Sequence, residues 1–165
     1  MSSTNGSHAN SPRIVLYCVA PPAYRLLRDW AARTGYGFRL IVTTPGPRRA
    51  RTGAYRAIIA EAPAEQDILI TTHMRGIAAL IAAADPDLIL SFTLPFRIPP
   101  DVLALPRHGA VNLHPAPLPL YRGPEPARMI YNGEPNLGAT LHRTDSEFDT
   151  GAILSVHTAP MPKNI

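Results

Sequence analysis

The chain has 165 residues, of which 45% are hydrophobic, 17% charged and 7% aromatic, a balance that fits one globular domain and leaves little room for a second. A single cysteine, Cys18, excludes an internal disulfide, and without a CxxC or Cys/His cluster there is no set of ligands for a structural zinc. No apolar run approaches the ~18 residues that span a bilayer, so the expectation is a cytoplasmic protein with no membrane or metal partner. Net charge is +4, and Lys163 is the only lysine, so arginine carries 15 of the 16 basic charges. A codon bias towards Arg, Ala and Pro accounts for that total, which leaves only local clusters to be read as anion sites.

Residues 1–12 (MSSTNGSHANSP) are polar and aperiodic and read as a disordered leader; residues 13–165 read as the folded domain. Arg13 to Val19 (RIVLYCV) is a short β-branched run of the kind buried on both faces of a parallel sheet. Pro21 and Pro22 open a helix in which Tyr24, Leu27, Trp30 and Ala31 recur at helical spacing until Gly35. Phe38 to Val42 is a second strand; TPGPRRARTG over 44–53 is an arginine-bearing loop, and Ala54 to Glu61 a helix. Ile68 to Thr71, Gly76 to Ala84 and Asp87 to Phe92 then read as strand, helix and strand, and Ala110 to Leu113 as a fifth strand. This alternation predicts an α/β, doubly wound and mainly parallel sheet, a Rossmann-like arrangement in which ligands lie beyond the carboxyl ends of the strands. The loops after Val19, Val42, Phe92 and Leu113 are therefore the candidate sites. The loop after the first strand, VAPPAY, has no G-x-G-x-x-G, which argues against a dinucleotide, and no P-loop or nucleophile elbow is present.

Asn112 and His114 stand two apart where the fifth strand meets HPAPLPLYRG, so an extended backbone sends both side chains to one face. Asp149 lies in an acidic turn, DSEFDTG, between two strand-like runs, Ala139 to Arg143 and Ala152 to Val156. Amide, imidazole and carboxylate suit acyl transfer to an amine: the amide stabilises oxyanion character, the imidazole moves protons or donates to the same oxygen, and a carboxylate favours the protonated ring. The same spacing also allows Asn112 simply to satisfy backbone groups at a strand end, and N-x-H alone does not choose between the two.

NLHPAPLPLYRG followed by DSEFDTG resembles the paired signature of the folate-dependent formyltransferases, a family that includes enzymes acting on methionyl-tRNA, glycinamide ribonucleotide and nucleotide-linked amino sugars. The resemblance runs from Ile14 to about Pro160 and implies 10-formyltetrahydrofolate as co-substrate, no metal, and Asn112, His114 and Asp149 as the catalytic trio. It further implies that Phe96, Ile98 and Leu103, in FTLPFRIPPDVL, line the folate site, with Asp145 and the turn to Asp149 closing it; ordinary core packing is the alternative reading of the three apolar residues, and the stronger one for Leu103 taken alone. Two departures stand out: Ala116 and Pro117 replace the Ser and Leu of many relatives, removing one hydroxyl, and the sequence stops at Ile165 where relatives continue into a further helix. The second departure raises the expectation of a domain truncated at its carboxyl end.

For the acceptor, APPAY after the first strand does not resemble the glycinamide ribonucleotide branch, whereas YRGPEP over 121–126 is similar to the stretch shared by the tRNA and sugar branches. Arg48, Arg49 and Arg51 fall where the tRNA enzymes carry a basic loop, which with Arg122 implies contacts to phosphate; a solvated arginine loop is the alternative reading. The leading expectation is transfer of a formyl group to initiator methionyl-tRNA, in protein biosynthesis. A nucleotide-sugar N-formyltransferase is the alternative, and a catalytically inactive remnant acting as a binding module is the alternative of another class.

Overall fold

The structure is a computed structural model that describes residues 11–46 and 53–162. Seven strands form one sheet: β1 (Ile14–Cys18), β2 (Phe38–Thr43), β3 (Ile68–Ile70), β4 (Leu88–Phe92), β5 (Ala110–His114), β6 (Asn136–Arg143) and β7 (Ile153–Pro160). Their order is β3-β2-β1-β4-β5-β6-β7, so the direction of winding reverses between β1 and β4. The first five strands are parallel, while β6 and β7 run antiparallel to their neighbours. The doubly wound, mainly parallel expectation is met. A short turn makes β6 and β7 antiparallel to each other; that β6 also runs antiparallel to β5 was not legible, because the alternation of strand and helix does not fix the direction in which the final pair is added.

Helices cover both faces. On one, α1 (Pro21–Thr34) and α2 (Ala54–Glu61) set Ala23, Tyr24, Leu27 and Ile58 against Ile14, Leu16, Ile41, Leu90 and Val111. On the other, α3 (Ala78–Ala83) and α4 (Pro100–Leu103) set Ile81 and Val102 against Val15, Tyr17, Val42 and Ile89. All five residues of β1 are buried, as a central parallel strand between two helical layers requires. Two prolines in its first turn start α1, where the missing N–H is no loss, and Gly35 at φ +74° ends it in the left-handed conformation that suits glycine. A short fifth helix, α5 (Arg128–Tyr131), follows the β5 loop.

At its amino-terminal edge the sheet is tied by charge. Asp87, just before β4, takes the Arg13 guanidinium through both carboxylate oxygens (2.9 and 3.0 Å) and the Arg13 backbone N–H at 2.9 Å. These bonds from Arg13 hold the Asp87 carboxyl well below the usual carboxylate range. The opposite, carboxyl-terminal edge carries the polar cluster described next.

Candidate active site

A single row of paired residues crosses the sheet near its carboxyl edge: Tyr17 on β1 pairs with Ser91 on β4, Ser91 with Asn112 on β5, and Asn112 with His142 on β6. Paired residues point to the same face, so an apolar row turns polar at β4 and stays polar to the hairpin. Asn112 stands at the junction of the parallel and antiparallel parts. Its Oδ1 accepts from Ser91 Oγ at 2.8 Å; its Nδ2 donates to Asp149 Oδ1 at 3.3 Å and lies 3.0 Å from His142 Nε2.

Asp149 reaches this point because the turn between β6 and β7 folds back. Asp145 Oδ1 accepts from the Glu147 N–H (3.1 Å) and from Thr150 Oγ1 (2.7 Å), which closes the turn from inside. Asp149 itself has φ +55°, a strained conformation for a residue with a side chain. Two residues later, a Cβ added to Gly151 would stand 1.9 Å from the Arg143 carbonyl oxygen, so only glycine lets β7 leave the turn this close to β6. The D-x-x-x-D-x-G spacing thus has a physical content: the first Asp builds the turn, the second is presented by it, and the Gly permits the close approach.

The Asp149 carboxylate is shared between two imidazoles. Oδ2 lies 3.4 Å from His114 Nδ1 and accepts the Gly123 N–H at 2.8 Å; Oδ1 lies 3.3 Å from His142 Nε2. Burial pushes the Asp149 pKa up, but His142, the Gly123 amide and His114 outweigh it and hold the group below its ordinary value. Burial works against charge on His142 as well, yet its hydrogen bond with Asp149, the Arg143 carbonyl and the surrounding carboxylates leave its pKa raised. A carbonyl only accepts, so His142 Nδ1 donates to the Arg143 oxygen (2.7 Å) and His114 Nε2 donates to the Tyr121 oxygen (2.7 Å). Tyr121, at φ +58°, belongs to the loop that also supplies the Gly123 amide, so one short segment caps both His114 and Asp149.

These groups open into a cleft of about 390 Å³ whose walls include Leu94, Pro95, Phe96, Ile98 and Phe148, with Thr144 and Asp145 at its far side. The sequence-derived residues divide as follows. Asn112, His114 and Asp149 meet at the cleft; Phe96, Ile98 and Asp145 line it. Leu103 does not: it ends α4 and packs against the core beside Val102, because a residue in that helix faces the sheet rather than the cleft. Arg122 is exposed and is not part of the lining, although its neighbour Gly123 is. Arg48, Arg49 and Arg51 lie outside the described residues. Of the four candidate loops, those after Phe92 and Leu113 contribute to the cleft, the loop after Val19 is not among its lining, and residues 47–52 of the loop after Val42 lie outside the described residues. Ala116 is fully buried and its carbonyl accepts from Thr140 Oγ1 at 2.8 Å, while Pro117 packs on Gly138, so neither departure from the resemblance faces the cleft.

His142 and Ser91 were missed by the motif reading. Ser91 had a signal: one hydroxyl in the apolar run DLILSF, on a strand whose both faces are covered. His142 had a weaker one, its place seven residues before Asp149 in a strand that ends in the acidic turn.

The profile of the formyl transferase family matches residues 39–163. The chain is 41% identical over 98 residues to a methionyl-tRNA formyltransferase of Roseiflexus sp. and 51% identical over 71 residues to a GDP-perosamine N-formyltransferase of Brucella melitensis. Those alignments cover 58% and 42% of this chain but only 30% and 27% of the relatives, so the chain spans less than a third of their length. Among solved structures, glycinamide ribonucleotide transformylase 1 from Geobacillus kaustophilus superposes with a TM-score of 0.73 at 20% identity, covering 94% of this chain and 86% of that one. HypX from Aquifex aeolicus in complex with tetrahydrofolic acid gives 0.62 at 22% identity, over 93% of this chain and 22% of that one. These two structures share the fold. With a seven-stranded sheet of the matching architecture and a family profile that covers most of its length, the chain belongs to the formyl transferase family.

Proposed function

We propose that this domain transfers a formyl group from 10-formyltetrahydrofolate to a primary amine, with Asn112, His114 and Asp149 as the catalytic residues. The observation that supports it is the convergence of a carboxamide donor, an imidazole and a buried carboxylate on one cleft with an apolar wall. The fit to a folate is chemical: Phe96, Ile98, Leu94 and Phe148 offer a flat apolar ring a dry surface, and Asp145 with the backbone of its turn offers polar atoms to its edge.

In this reading the acceptor nitrogen attacks the formyl carbon, the carbonyl oxygen gains negative charge, and the bond from the formyl carbon to N10 then breaks. Asn112 Nδ2 donates a hydrogen to the developing oxyanion, which requires it to release one of the two groups it now faces, Asp149 Oδ1 or His142 Nε2. His114 stabilises the same oxygen through Nε2, which requires the Tyr121 carbonyl to yield the bond it now accepts. Asp149 holds the ring through Nδ1 and, with an intervening water, carries the proton lost by the amine towards the leaving N10. Products are the N-formyl acceptor and tetrahydrofolate, and no covalent enzyme intermediate forms.

The acceptor we propose is the amine of methionyl-tRNA, after the methionyl-tRNA formyltransferases that align over 98 residues. The 51% identity to GDP-perosamine N-formyltransferase favours, as the second reading, an amino sugar on a nucleotide. Incubation with 10-formyltetrahydrofolate and each acceptor in turn, scored by formylated product, tests both: product with methionyl-tRNA supports the first, product with the nucleotide sugar alone supports the second. Release of tetrahydrofolate that no amine accelerates contradicts formyl transfer.

A further inference from the structure

Asn112 can serve as an oxyanion donor only if its carboxamide keeps the NH₂ end towards the cleft. An amide of this kind turns about its last torsion at little steric cost, since oxygen and NH₂ have nearly the same shape. The orientation therefore rests on hydrogen bonds. Towards the cleft, Nδ2 faces Asp149 Oδ1 at 3.3 Å and His142 Nε2 at 3.0 Å; the carboxylate attracts NH₂ and repels Oδ1, and the His142 ring, whose Nδ1 donates to Arg143, accepts from NH₂ at Nε2 when neutral. On the side away from Asp149, Oδ1 accepts from Ser91 Oγ at 2.8 Å, and Ser91 is 3% exposed.

We propose that Ser91 is a positioning residue for formyl transfer: its hydroxyl holds the Asn112 carboxamide with its NH₂ presented to the cleft. Three observations support this role. The serine proton has one other acceptor within reach, the Val111 carbonyl at 3.4 Å, so the bond to Asn112 is much the shorter. Tyr17, the other neighbour of Ser91 in the row, is buried with a hydroxyl that has no hydrogen-bond partner among the described residues, so it does not compete for Ser91. Finally, a donor bonded to Oδ1 draws electron density from the amide and strengthens the N–H on its far side. Removal of the hydroxyl leaves Oδ1 a buried acceptor without a donor and loosens the carboxamide, so that its NH₂ is no longer held in one presentation to the cleft.

The kinetic part of this inference rests on the proposed function; the orientation does not. Thr and Val have nearly the same shape and differ by the hydroxyl, so Ser91→Thr and Ser91→Val share any packing effect and differ in the bond at issue. We expect Ser91→Thr to keep kcat close to wild type. Ser91→Val and Ser91→Ala should lower kcat by about 10–100-fold with KM for 10-formyltetrahydrofolate unchanged, the scale seen when a group that orients a reacting residue is removed. A structural role alone would move stability and not split kcat from KM. Equal kcat in Ser91→Val and Ser91→Thr overturns the proposal. The second readout, the Asn112 side-chain NH₂ signals in ¹⁵N NMR of the free protein, needs no catalysis. Signals that are distinct and protected from exchange in wild type and Ser91→Thr, and shifted and exchanging faster in Ser91→Val, support the orientation; signals identical in all three overturn it. If the wild-type chain transfers no formyl group, only the function fails, and the NMR comparison still decides the orientation.

Discussion

The five parallel strands and the β6–β7 hairpin are held by different physics, and the candidate site lies on their seam. In the parallel part, β1 is wholly buried and helices cover both faces, so position is fixed by close packing. In the hairpin, all eight residues of β7 are exposed, and what fixes the turn is a set of directed polar contacts around Asp145, Asp149 and Gly151. Asn112 and His114 come from the packed side, Asp149 and His142 from the polar side. The lesson is that the packed half provides a rigid platform, while the half held by hydrogen bonds sets the charge that faces it.

Substitutions on the two sides should therefore fail differently. The largest effect is expected at Gly151→Ala, where the new Cβ would meet the Arg143 carbonyl at 1.9 Å and displace the turn that presents Asp149. Formyl transfer should fall at least about 100-fold, the cost of losing a group that moves a proton in the reaction, while the parallel core stays folded by circular dichroism. Leu16→Ala does the reverse: Leu16 is fully buried in β1, and its truncation should destabilise the chain by about 2–5 kcal/mol in urea unfolding, with transfer per folded molecule near wild type.

A third distinction appears with pH. The His142 pKa is raised above its ordinary 6.5, so its contribution to stability is full below that value and is lost as pH rises through the folded-state value. Asp149 lies below its ordinary 3.8, so its contribution is present above that value and is lost as pH falls through the folded-state value. The pair thus supports the hairpin most between 3.8 and 6.5. The difference in Tm between wild type and Asp149→Asn should be greatest in that window and shrink on either side; a difference independent of pH would remove the charge argument. The smallest effect is expected at Arg97→Ala. Arg97 pairs with Glu147 at 2.9 Å, but both side chains are more than half exposed, so the loss should be no more than about 1 kcal/mol by thermal unfolding.

The two halves were also unequally legible. Runs such as IVLYC and FRLIV, and the Pro–Pro and Gly that bracket α1, carry their structure locally, and the sheet followed from their alternation. In the hairpin only the motif was legible. β6 begins at Asn136 and β7 runs to Pro160, both longer than the apolar pattern indicated, because an exposed strand needs no hydrophobic alternation to be paired. The site was half legible for the same reason. Asn112 and His114 share a face by strand period, but Ser91 and His142 join them through register between strands, which no local spacing encodes. Leu103 was assigned to the cleft by the resemblance of its segment alone, and its other reading, core packing, is the one the structure shows.

Loss of turnover at Asn112 and His114 is the most direct test of whether the chemistry happens at the seam. Tetrahydrofolate release from 10-formyltetrahydrofolate, followed with and without an amine acceptor, should be acceptor-dependent in the wild-type chain and fall by about 100-fold or more per folded molecule in Asn112→Ala and in His114→Ala, with folate binding retained. Turnover that is unchanged in both variants, or that declines only in proportion to the folded fraction, would contradict it.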